Sequence, residues 1–302
     1  IFFIGSVVAA QSTDIVGVLV GRALQGSGAI SAVLMAFLAD YVSPIQRAKA
    51  NAFVGVQIGV AFMLSLLIGP IVTVNFGISG LFWVIAILSV LALLIVVFLP
   101  HAKPRAQYPL SISNFKKILS SDLLRLDLSV FSLHLILTCA FIVMPLLLVN
   151  NNIIEIKDNW QMYLPVMILS FIGMLPIIIL AEKFNKPKAM LLVSIGVLIV
   201  SQILFYNTKL NYTSFFVIMT VFFVAFNALE AMLPSILSRT ATSDKRGLAM
   251  GMFSTSQFFG AFVGGVFGGL IYNNFGLNSV FLFTTFIAII WWVIMLTMKQ
   301  QN

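Results

Sequence analysis

Apolar runs long enough to cross a bilayer follow one another along almost the whole chain. They cover residues 15–41, 48–74, 81–99, 124–149, 160–181, 189–206, 213–237, 248–272 and 279–298. A helix needs about 20 apolar residues to span hydrocarbon. Residues 1–11 add about half a run, and Ser12-Thr13-Asp14 after it can cap the next helix. Inside a bilayer every backbone polar group must be satisfied within the protein, and runs of this length satisfy theirs as helices. The fold class expected is therefore an all-α polytopic membrane protein. Composition agrees: of 302 residues 61% are hydrophobic and 9% charged, where a soluble domain carries about 25% charged residues.

The formal charge of +8 would suit a nucleic-acid partner only if it formed a patch, and it does not. Fourteen of the 17 basic residues fall in alternate loops: Arg47 and Lys49; Lys103, Arg105, Lys116, Lys117 and Arg125; Lys183, Lys186 and Lys188; Arg239, Lys245 and Arg246; and Lys299. The opposite loops hold only Lys157 and Lys209. This asymmetry places the first set in the cytoplasm and excludes nucleic acid as the reason for the charge. Residues 100–123, with three prolines and a cluster of lysines, read as an aqueous linker between residues 1–99 and 124–302. Cys139 is the single cysteine, so no intrachain disulfide forms. Metal-spaced Cys/His clusters, phosphate loops and hydrolase or protease motifs are missing, so neither enzyme chemistry nor a cofactor is expected.

A repeat runs through the chain. Arg47, Ala50, Gly69, Asn75, Phe76, Gly77 and Phe82 recur 199 residues later as Arg246, Ala249, Gly268, Asn274, Phe275, Gly276 and Phe281. Both copies run in the same sense, since Arg47 and Arg246 share the basic side. Parallel repeats about an axis along the membrane normal are a transporter device. Carried back from residue 124, the same offset predicts roughly two and a half spans ahead of Ile1, so the chain reads as lacking them.

Few polar side chains lie inside the spans. Arg22 sits in the run 15–41, where an unpaired cation costs about 3 kcal/mol. Helical spacing groups it with Gln25, Gly26 and Ala29, a face suited to helix contact and a polar partner. Snorkelling to the outer interface is the alternative. Glu230 is the one carboxylate well inside a span of the second half, and Asn227, one turn away, can bond it. It is a candidate proton carrier; a structural carboxylic acid is the other reading. His134 lies mid-span between Asp127 and Thr138 and is either a second proton site or a hydrogen-bonded core histidine. Gly260, Gly264 and Gly268, with Gly265 and Gly269, form ridges that allow close helix contact. Pro70, after Gly69, is expected to interrupt the run 48–74.

The order Arg22-x-x-Gln25-Gly26-x-Gly28-Ala29, the loop Asp40-x6-Arg47 and the pair Gly69-Pro70 resemble the first half of a twelve-span drug:proton antiporter of the major facilitator superfamily (MFS). The likeness is strongest to its YajR-type subgroup, through Gly21–Ala29, through Phe222–Asn227 with Glu230 and Pro234, and through Gly251-x-x-Ser254-Thr255-Ser256-Gln257-Phe258. It runs from the third span to the twelfth. Ser65 stands where the fifth-span antiporter motif has its first glycine. Glu182, Lys183, Asn185, Lys186 and Lys188 echo the loop motif of the first half.

The resemblance implies two six-helix bundles and efflux of small molecules driven by protons through alternating access. An importer or facilitator is the alternative within transport, and a scaffold or channel outside it. It implies a proton and substrate pathway at Arg22, Gln25, His134, Asn227, Glu230 and Gln257. It implies gating at Asp40, Arg47, Gly69, Pro70, Glu182, Lys183 and Arg246, with Glu182 either capping a facing helix or merely solvated. The partners expected are an unidentified small molecule, protons and the bilayer of the bacterial inner membrane, with the protein monomeric.

Overall fold

A computed structural model describes residues 1–28, 34, 37–38, 41–42, 47–99, 120–155, 158–209, 211–241 and 246–298. All its regular elements among these residues are helices: α1 (Phe2–Gln11), α2 (Ile15–Ser27), α3 (Arg47–Val97), α4 (Ser121–Asn150), α5 (Trp160–Lys183), α6 (Pro187–Asn207), α7 (Tyr212–Thr240), α8 (Arg246–Phe275) and α9 (Leu277–Leu296). Seven are long and apolar enough to cross a membrane, and α1 and α2 are shorter apolar helices. The chain forms two compact units, Ile1–Tyr108 and Pro109–Asn302. Asp40, Ala29 and most of the linker 100–123 lie outside the described residues, as do the side chains of Arg47 and Arg246.

In the first unit α1 packs on both α2 and α3. Asp14 caps α2 as expected, its carboxylate accepting from the Gly17 amide at 2.8 Å. The α1–α2 seam is backbone against backbone. A Cβ on Gly5 would lie 2.6 Å from the Gly21 carbonyl, and one on Gly28 would lie 2.7 Å from the Phe2 amide. Gly21, Gln25 and Gly28 thus form the packed stripe, at spacings of four and three. Arg22 and Gly26 lie on the next stripe and are exposed, which corrects the expectation that they share the packed face with Gln25. The Ser79 hydroxyl donates to the Ala10 carbonyl and ties α3 to α1.

α3 joins two predicted runs, 48–74 and 81–99. The break expected at Gly69-Pro70 is absent: the helix continues through Pro70, and the residue with non-helical dihedrals is Gly77, at φ 67° and ψ −172°. Pro70 costs α3 one backbone bond, while Gly77 occupies a region open essentially to glycine alone. The repeat reappears here in three dimensions. Gly276, which precedes α9, has φ 85° and ψ 172°. Asn75 donates to the Ile71 carbonyl at 2.7 Å and Asn274 to that of Leu270 at 2.8 Å. Phe76 and Phe275 are exposed alike, at 73% and 74%. Arg47 and Arg246 begin α3 and α8.

The second unit is a six-helix bundle whose core runs along α4, α5, α6, α7 and α9. α4 and α8 approach through the predicted ridge. A Cβ on Gly260 would strike the Phe131 carbonyl, one on Gly264 the Leu135 backbone, and one on Gly268 would lie 3.0 Å from the Cys139 sulfur. Three successive turns of each helix therefore meet with no side chain from α8 between them. α9 is fixed to α4 by Trp291, which donates to Ser129 at 2.8 Å, and to α6 by Trp292, which donates to the Leu192 carbonyl at 3.0 Å. Phe205 stacks on Phe281 at 5.0 Å and meets Phe215 edge-on at 5.3 Å, closing α6, α7 and α9 together.

Candidate functional site

Polar side chains collect where α4, α7 and α8 meet in the second unit. α7 buries the face carrying Phe222, Phe223, Phe226, Leu229 and Leu233, which leaves Asn227 and Glu230 on a half-buried stripe. Pro234, one turn beyond, has no N–H to offer the Glu230 carbonyl. α4 likewise leaves His134 half-buried between buried Leu133 and Leu135. α8 brings Gln257 between them.

The Gln257 amide nitrogen lies 2.7 Å from Nε2 of His134 and 3.2 Å from Oε1 of Glu230. Nδ1 of His134 is 3.1 Å from the Val130 carbonyl. A carbonyl only accepts, so Nδ1 carries the hydrogen and Nε2 the lone pair. Oε2 of Glu230 stands 3.8 Å from Nε2 and has no hydrogen-bond partner. The His134 ring also meets Phe226 edge-on at 6.0 Å. Two groups that can hold and release a proton, Glu230 and His134, thus meet across one amide donor, Gln257. Among the described residues, no cluster of His, Cys, Asp and Glu is fit to hold a metal ion.

Two comparisons place the chain in a family, and a third matches its fold. The sequence profile of the Major Facilitator Superfamily matches residues 1–166 and again 126–301. The chain belongs to the major facilitator superfamily. It is 36% identical over 305 residues to the inner membrane transport protein YajR of Escherichia coli (strain K12), covering 99% of this chain and 67% of that protein. An uncharacterized transporter of Buchnera aphidicola subsp. Acyrthosiphon pisum (strain APS) is 34% identical over 274 residues, covering 87% and 69%. The fold matches the crystal structure of a bacterial homologue of the human lysosomal transporter Spinster, inward-facing and unoccupied, with a TM-score of 0.71 at 14% identity over 99% of this chain and 81% of that one. It matches the human organic anion transporter MFSD10 (TETRAN) with a TM-score of 0.71 at 17% identity, over 97% and 74%. This MFS protein is therefore a membrane transporter, integral and multi-pass in the bacterial inner membrane.

Within the MFS fold the remaining candidates stand apart from that trio. Asn227 does not bond Glu230; it donates to Ser170 of α5 at 2.9 Å. Three residues along a helix turn the side chain by about 60°, so Asn227 faces α5 while Glu230 faces α8. Thr138 bonds back to the His134 carbonyl at 2.9 Å. Asp127 is buried, and its Oδ1 has no partner. In the first unit Arg22 donates to Gln25 at 2.7 Å, and Gln25 donates to Ser6 of α1 at 2.7 Å. Glu182 and Lys183 stand exposed at the end of α5, with the Lys183 ammonium 5.9 Å from the Phe184 ring centre. The N-cap of α6 is Lys186, without a capping side-chain bond.

Each member of the trio was visible in the sequence; their meeting was not. The pairings cross 123 residues between His134 and Gln257 and 27 between Glu230 and Gln257, distances over which helical periodicity is silent. Ser6 went unnoticed because a lone serine in an apolar run carries no signal until its partner is known.

Proposed function

We propose that this transporter is a drug:proton antiporter of the YajR type, which exports small molecules as protons flow inward. Glu230 is the proton carrier and His134 and Gln257 are its partners. The observation that supports this is a half-buried carboxyl group inside a membrane span, bonded to Gln257 and faced by an imidazole. Such a group must hold protons with different affinity in the two access states. Each tenfold difference couples about 1.4 kcal/mol of proton binding to conformation. Residues 1–99 and 124–302 are then the two moving bundles, 100–123 their cytoplasmic linker, and a monomer the working unit. Arg22 and Gln25 line the pathway from the first bundle and Asn227 from the second. Asp40, Arg47, Gly69, Pro70, Glu182, Lys183 and Arg246 gate it.

The test is transport of lipophilic fluorescent dyes by the full-length protein in vesicles, with and without an imposed pH gradient. Glu230→Gln keeps size and bonding capacity but fixes the site neutral. It should lower pH-driven dye movement at least tenfold while gradient-free exchange persists. Arg22→Ala should weaken both, since it removes the donor to the Gln25 side-chain oxygen. Full pH-driven transport by Glu230→Gln would assign Glu230 a structural role. Orientation is checked separately: a single cysteine at Lys186 should resist membrane-impermeant thiol reagents in intact cells, and one at Asn151 should react.

A further inference from the structure

We infer, resting on the proton-coupled reading above, that Gln257 gates proton exchange between Glu230 and His134 and fixes Nε2 as the His134 atom that receives the proton. The Val130 carbonyl holds the ring hydrogen on Nδ1, so only Nε2 is open to a proton, and it faces Oε2 of Glu230. One N–H of the Gln257 amide occupies the Nε2 lone pair and the other is shared with Oε1. A primary amide has two hydrogens, and this arrangement uses both.

At 3.8 Å the carboxyl oxygen and the ring nitrogen are too far apart for a hydrogen bond. While Gln257 is in place, a proton on Glu230 has no acceptor at His134. When the amide withdraws, the two groups need approach by only about 1 Å. The O–H bond of the Glu230 carboxylic acid then breaks and an N–H bond forms at Nε2. The products are a carboxylate and an imidazolium that keeps its Nδ1–H; one proton moves and nothing else is consumed.

The position of Gln257 makes the gate conformational. It stands on α8, one turn before Gly260, where α8 begins to lie on α4 backbone to backbone. Gly260, Gly264 and Gly268 present bare backbone to α4, with Phe259 against Phe131 at 5.7 Å beside them, and a displacement of α8 along this seam would carry the amide away and leave His134 and Glu230 on their own helices. Other titratable groups on the surrounding elements do not bridge the trio among the described residues. Asp127 is buried two turns down α4, and the Cys139 thiol donates to the Gly264 carbonyl at 3.2 Å. Tyr163 of α5 is buried beside Phe141 with its hydroxyl unpaired. Asp122 and Arg125 pair with each other at 2.7 Å at the start of α4. Arg239 is exposed in the last turn of α7.

Gln257 is thus a positioning residue, and its signature is the tautomer of one ring. Residues 1–302 hold two histidines, His101 and His134, so His101→Gln, with any histidine outside these residues also replaced, leaves a single ring-15N-labelled imidazole to observe. In the full-length protein in lipid vesicles at mildly alkaline pH, His134 should show a protonated Nδ1 and a bare Nε2. Gln257→Leu removes the donor, and the fraction protonated at Nε2 should rise about tenfold, the size expected of one lost hydrogen bond. Gln257→Glu replaces a donor by an acceptor and should make Nε2–H the major form. A wild-type ring already protonated at Nε2 would overturn the inference without any variant. So would an unchanged tautomer in Gln257→Glu, which decides the matter if Gln257→Leu does not fold. An unchanged tautomer with transport still abolished by Glu230→Gln would sink the gate and spare proton coupling. The expected tautomer with pH-driven transport intact in Glu230→Gln would do the reverse.

Discussion

α8 and the first span of α3 are two copies of one sequence pattern, and they have kept different things. Both begin at an arginine and both end at Asn-Phe-Gly with the same glycine-only backbone and the same asparagine back-bond. Between those ends they part. Where α8 has Gly260, Gly264 and Gly268 against α4, α3 has Ala61, Ser65 and Gly69. Ser65 bonds back to its own Phe62 carbonyl at 2.7 Å. The polar residues diverge too. At the same offset Gln257 corresponds to Ile58, and Arg22 and Gln25 to Val221 and Val224. Span ends, which solve a backbone problem common to both halves, persist through duplication; mid-span residues, which carry packing and chemistry, are free to specialise.

The largest effect should separate the copies. Gly264→Val places a Cβ, with two methyl groups beyond it, against the Leu135 backbone. Backbone cannot move aside as a side chain can, so the cost should be about 3 kcal/mol, the upper end of overpacking penalties. Ser65→Val, at the matching place in α3, replaces one side chain by another instead of adding one to bare backbone, so it should cost less than Gly264→Val. Thermal unfolding of the purified full-length variants measures both. Equal losses would mean that the two copies pack alike.

How much of this was legible beforehand follows the same division. The helices, the cap at Asp14, the glycine ridge and the repeated Asn-Phe-Gly were readable because each depends on residues within a few positions of one another or on a simple offset. The interruption in α3 was assigned to Pro70, the residue that breaks a bond, and belongs to Gly77, the residue that changes the backbone. Glu230 and His134 announced themselves as ionisable groups in apolar runs. Their link did not, because Gln257 is a neutral residue among Ser, Thr and Phe and matters only once α8 lies against α4. Asn227 was misassigned for a similar reason: proximity along α7 favoured Glu230, while the neighbouring α5 offered Ser170.

A middle-sized effect should unite the copies. Gly77→Ala and Gly276→Ala each force a Cβ into a region that L side chains avoid, which costs about 1–3 kcal/mol. Neither site has an atom within 4 Å of the added methyl, so steric crowding adds nothing and the two losses should agree within about 0.5 kcal/mol. A much cheaper Gly77→Ala would show that the first turn relaxes where the second does not.

The smallest effect tests whether the turn is kept by its side chain or by its glycine alone. Asn75 and Asn274 each donate to the carbonyl four residues back, and both bonds are exposed. Those carbonyls are already the acceptors of the last helical turn, so the asparagine supplies a second donor rather than rescuing an orphan. A net hydrogen bond is worth about 1 kcal/mol when buried and less where water competes. Asn75→Ala and Asn274→Ala should therefore each cost about 0.5 kcal/mol, close to the resolution of thermal unfolding. Combining each with its Gly→Ala partner raises the contrast. If the asparagine pins the turn that the glycine permits, the double variant loses less than the two singles together, because once the turn has relaxed there is nothing left to pin. Strict additivity at both sites would mean that the glycine sets the repeated turn without help from the asparagine.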